Sequence, residues 1–104
     1  MDKPQEQPTS PSQGGQIQVK ASDEVLKGVY ANMVQVGHTS EEFILDFMTV
    51  LPPSGMLNAR VIVSPSHFKR VVAAMNDNLK RYEAEFGTIS LAVVQDHKIG
   101  FRTE

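Results

Sequence analysis

The chain has 104 residues, no cysteine and a formal net charge of −2. That length holds one small domain and excludes any architecture built from several βαβ units. The charge offers no global attraction to nucleic acid or to an anionic membrane surface, and the lack of thiols removes disulfides, thiolate metal sites and thiol nucleophiles.

Residues 1–16 hold three Pro, four Gln, two Ser and two Gly, with Met1 as the one apolar side chain. Such a segment buries too little apolar surface to offset the entropy of ordering it, so it is expected to be a disordered leader. It lacks the apolar run of a secretory signal. The longest apolar stretch, residues 43–51, is interrupted by Asp46 and Thr49 and falls far short of the ~20 residues that a membrane helix requires. The expected address is cytoplasmic.

Order is expected over residues 17–94, as a single α+β domain with a polar tail at 95–104. Ile17-Gln18-Val19-Lys20 alternates apolar and polar, the pattern of a half-buried strand. Ser22 and Asp23 are turn or cap residues, and Gly28 reads as a bulge or a sharp bend into the next strand. Residues 29–36 have strand propensity, and the stretch 37–42 supplies turn chemistry. Residues 43–51 form a second strand, which makes 29–51 an antiparallel hairpin. Pro52-Pro53-Ser54-Gly55 forces a turn, and a further strand follows at 59–63.

Ser64-Pro65 is the sharpest local signal. Serine at an N-cap accepts a backbone N–H, and proline at the first helical position lacks only a donor that would be unpaired there. Phe68, Val71, Val72, Met75, Leu79, Tyr82 and Phe86 then recur at three- and four-residue steps, and Gly87 ends the pattern. The spacing predicts a helix over residues 65–86. Its apolar stripe suits packing on a sheet better than a coiled-coil seam, because three of the seam positions are aromatic. Residues 88–94 read as another strand.

The residues that carry chemistry are few. His38, His67 and His97 lack the spacing of a zinc motif, and no nucleophile elbow, phosphate loop or dinucleotide fingerprint occurs. No catalytic, cofactor or metal residue is therefore assigned, and no enzyme is expected. A pocket using His38 with Glu41 or Glu42 is the minor exception. Asp46 is the one charge in the most apolar strand. It sits either at an exposed edge that discourages wrong pairing, or buried against a cation such as Arg60.

Two surfaces remain. Lys69, Arg70, Lys80 and Arg81 share a sector of the helix, interrupted by Asp77, and make weak nucleic-acid binding the second hypothesis. Residues 43–51 are apolar on both faces, more than one helix covers, so the leading expectation is a small interaction or structural module that self-associates as a homodimer through a sheet face or edge. Its candidate contacts are Phe43, Ile44, Leu45, Phe47, Met48 and Val50. An unidentified protein partner is the other occupant considered, and no membrane is implicated.

The succession Gly28-Val29-Tyr30-Ala31-Asn32, Gly37-His38-Thr39, Glu42 to Phe47, Ile62-Val63-Ser64-Pro65 and Tyr82-Glu83 to Phe86-Gly87 resembles a family of short bacterial proteins catalogued as a domain of unknown function. The likeness covers about residues 17–90. It implies strands followed by one long helix in a self-contained small protein, and it implies no activity, cofactor or site residue.

Overall fold

A computed structural model describes residues 15–92 and 98–103. The elements follow as α1 (Asp23–Lys27), β1 (Met33–His38), β2 (Phe43–Leu51), β3 (Ser54–Val63) and α2 (Pro65–Phe86). The three strands form one antiparallel sheet in the order β1-β2-β3, and with the long helix they make an α+β fold. The expected helix is present, and so is the hairpin, with its first strand displaced along the chain. No helix among the described residues is long and apolar enough to cross a membrane.

The helix matches its expected bounds because its end signals are covalently local. Ser64 Oγ accepts the His67 N–H at 3.2 Å, Pro65 opens the first turn, and the Gly87 N–H donates to the Glu83 carbonyl at 2.9 Å. Gly87 has φ 99° and ψ 162°. That is beyond the left-handed helical region, in backbone space that glycine alone occupies freely.

Four strand expectations are corrected. The first hairpin strand runs over Met33–His38 rather than 29–36, because side chains of Thr49 and Asn58 take the Tyr30 carbonyl and the turn closes later, between Thr39 and Glu42. Residues 17–20 form no strand: Ile17 and Val19 lie more than 80% exposed with no neighbouring strand to pair with. Residues 88–92 are likewise non-regular, and 93 and 94 lie outside the described residues. β3 begins at Ser54 rather than 59, because Pro52 and Pro53, joined by a cis peptide, occupy the turn and the ladder resumes at once. Gly28 is a helix cap rather than a strand bulge. Ser22 Oγ accepts the Val25 N–H at 3.2 Å to start α1, and Gly28, with φ 77°, ends it by donating to the Val25 carbonyl.

The chain comprises two compact units. The first runs to Val34 and includes Phe47–Ala59. Here side chains take over where backbone pairing ends. Asn32 acts like a strand residue: its amide donates to the Val50 carbonyl at 3.0 Å and accepts the Val50 N–H at 2.8 Å. Asn58 donates to the Tyr30 carbonyl and to Thr49 Oγ1, both at 2.7 Å, and Thr49 Oγ1 donates to the same carbonyl at 2.9 Å. These bonds tie the irregular segment at Tyr30 to two strands.

The second unit comprises Gln35–Asp46 and the chain from Arg60 onward. Phe68, in the first turn of α2, stacks on Phe43 with ring centroids 4.1 Å apart and planes within 2°. In this unit Leu45 and Asp46 are buried, on opposite faces of β2 by strand alternation. The first unit buries Met48.

Candidate functional site

Asp46 is the one polar side chain buried among the described residues, and the exposed-edge alternative for it is overturned. β2 is the central strand, so its side chains have a neighbour on either hand. Arg60 on β3 closes on the carboxylate as a fork, Nε to Oδ1 at 2.7 Å and Nη2 to Oδ2 at 2.9 Å. This planar two-bond geometry is the strongest form an Arg–carboxylate contact takes. The hydrogen bond from Arg60, reinforced by its charge, holds the Asp46 carboxyl below its ordinary range against the opposing effect of burial, and the same bond raises Arg60.

Phe101 completes the cluster. Arg60 Cζ lies 5.6 Å from the centre of its ring, within cation–π range. Phe101 lies in the stretch 95–104 expected to be a polar tail. The signal that would find it, a planar cation waiting on β3, exists only once the strands are paired. Asp46, Arg60 and Phe101 thus link β2, β3 and the segment after the helix.

The other candidate residues are dispersed. His38 ends β1, exposed, with its ring 5.4 Å from that of Phe43. Thr39 Oγ1 accepts the N–H groups of Glu41 and Glu42 at 3.1 and 3.2 Å, and both carboxylate residues are exposed. The loop is a solvated turn around a threonine hydroxyl. His67 is exposed in the first turn of α2, and His97 lies outside the described residues. Among the described residues no group of three or more His, Asp or Glu is placed to hold a metal ion.

On α2, Asp77 takes Arg81 at 2.8 Å, an exposed i,i+4 pair, so the basic sector of Lys69, Arg70, Lys80 and Arg81 is divided by a carboxylate held against one of its members.

The six candidate self-association residues all lie on β2. Leu45 and Met48 are buried, while Phe43, Ile44, Phe47 and Val50 are half-buried. The most exposed apolar surface extends beyond β2. It includes Val25, Leu26, Val29 and Tyr30 around α1, Val34 and Val36 on β1, and Met75, Leu79, Tyr82 and Phe86 along α2. Of the stripe expected to pack on the sheet, Phe68 and Val71 are half-buried and the rest are exposed.

No curated protein and no solved structure matches the chain. A family model described as a protein of unknown function (DUF3467) matches residues 1–91, which takes in every strand and both helices, and the chain belongs to that family.

Proposed function

We propose that the chain is a non-enzymatic interaction module that works as a homodimer. The observation that carries this reading is the amount of apolar surface left in water. Among the described residues twenty-one large apolar side chains are exposed, while Leu45 and Met48 are the buried apolar ones.

Tyr30, Leu26, Val25 and Phe86 are each at least 66% exposed. Scattered exposure of single residues is ordinary, whereas this many large apolar groups on so short a chain suits a surface covered in the working assembly. A second copy is the simplest cover, since it supplies the same apolar surface in equal amount.

Sedimentation equilibrium at micromolar concentration tests the reading. A dimer of twice 11.5 kDa is expected, with a melting temperature that rises with protein concentration. A folded monomer with a concentration-independent melting temperature overturns it.

A further inference from the structure

The exposed apolar residues of α2 are in order. Val72, Met75, Leu79, Tyr82 and Phe86 follow one another at steps of three, four, three and four residues, the spacing that lines side chains along one seam of a helix. Their exposure runs from 42% to 66%. Phe68, one step earlier on the same seam, stacks on Phe43. The sheet thus takes the first turn and leaves about four turns of seam uncovered.

We propose that this seam packs antiparallel against the same seam of a second copy of the chain. The proposal rests on the self-association reading and assigns it a surface and a direction. Charge selects both. One flank of the seam carries Lys69, Asn76 and Glu83, and the other carries Val71, Asn78 and Glu85. These flanking positions are where side chains of paired helices meet. The flanks are positive near the helix start, neutral in the middle and negative near its end.

Two such helices laid parallel gather Glu83 and Glu85 with the partner's Glu83 and the partner's Glu85 at one end. Laid antiparallel about a two-fold axis near Asp77, each Lys69 faces the partner's Glu83, and Asn76 and Asn78 each meet their own counterparts. The apolar layers match in the same register: Met75 on the partner's Leu79 and Val72 on the partner's Tyr82. Glu83 is already steadied for this contact, since one carboxylate oxygen accepts the Ile89 N–H at 2.9 Å. Arg70, Lys80 and the Asp77–Arg81 pair fall on the outer side of the helix, away from the seam, which is where charged groups remain hydrated.

The absence of cysteine allows single-site spin labelling without background. In the antiparallel dimer, labels at Asn78→Cys lie side by side across the axis. Labels at Lys69→Cys lie about 21 Å apart along the helix, fourteen residues at 1.5 Å each. A short distance at 78 with a long one at 69 is expected from electron–electron dipolar measurements. Short distances at both sites, or long distances at both, overturn the arrangement.

Leu79→Asp gives a separate reading. Leu79 is 45% exposed within the protomer, so the variant is expected to keep its circular dichroism while its dimer dissociation constant rises at least tenfold. An undiminished dimer in that variant overturns the seam and leaves self-association standing. A wild-type chain that is monomeric throughout removes both. The label distances decide the matter without the aspartate variant.

Discussion

A carboxylate in the middle of an apolar strand survives only with a partner that satisfies both oxygens, and Asp46 has one in Arg60. Because the folded carboxyl titrates below its unfolded value, the pair adds stability that is fully present above about pH 4 and is lost as the pH falls through the folded pKa. Acid unfolding followed by circular dichroism is therefore expected to begin at higher pH in the wild type, relative to its own neutral stability, than in Asp46→Asn, which has no carboxyl there to protonate. Arg60→Ala is expected to lower the melting temperature more than the double variant Asp46→Leu/Arg60→Met, since the single change strands a buried charge and the double change removes it. Asn58 works by the same rule without charge. It is half-buried and donates two bonds, so Asn58→Ala is expected to cost about 1–2 kcal/mol in urea unfolding.

At the scale of elements, the helix and the strands differ in what defines them. α2 is bounded by Ser64, Pro65 and Gly87, whose effects act within one turn, and the expected and observed ends agree to the residue. Ser64→Ala is expected to cost about 1 kcal/mol, which lowers the melting temperature of a domain this size by about 4–8 °C. Gly87→Ala is expected to cost about 1–3 kcal/mol. No heavy atom lies within 4 Å of the added methyl, so that loss is purely conformational. Thermal melts at fixed protein concentration check both. A strand, in contrast, exists only when a neighbour pairs with it. Residues 17–20 have the alternation and no neighbour, while Ser54–Asn58 lacks a strong pattern and has one in β2.

For the whole molecule, the informative quantity is what folding leaves undone. On β2, Leu45 and Met48 are buried within the chain, Phe43 is stacked by Phe68, and the other apolar residues are half-buried or exposed. The same demand for cover reappears on α2, where the seam continues past the sheet. Self-association through that seam makes stability depend on protein concentration. Leu79→Asp is expected to abolish the rise of melting temperature with concentration while leaving the dilute-limit value nearly unchanged, as read by calorimetry across a hundredfold dilution.

The sequence by itself determined the class of the fold, the helix to its end residues, the hairpin around Thr39 and the two residues able to form the buried ion pair. Each of these rests on interactions spanning a few residues or on the need of one charge for an opposite one. Tertiary structure decided which apolar residues are inside. β2 became the central strand, Phe101 found Arg60 across 41 positions of chain, and one helical stripe was divided between a covered first turn and an exposed remainder. Burial is a property of what lies opposite a side chain, and for residues far apart in sequence that neighbour is chosen by the packing of the whole chain.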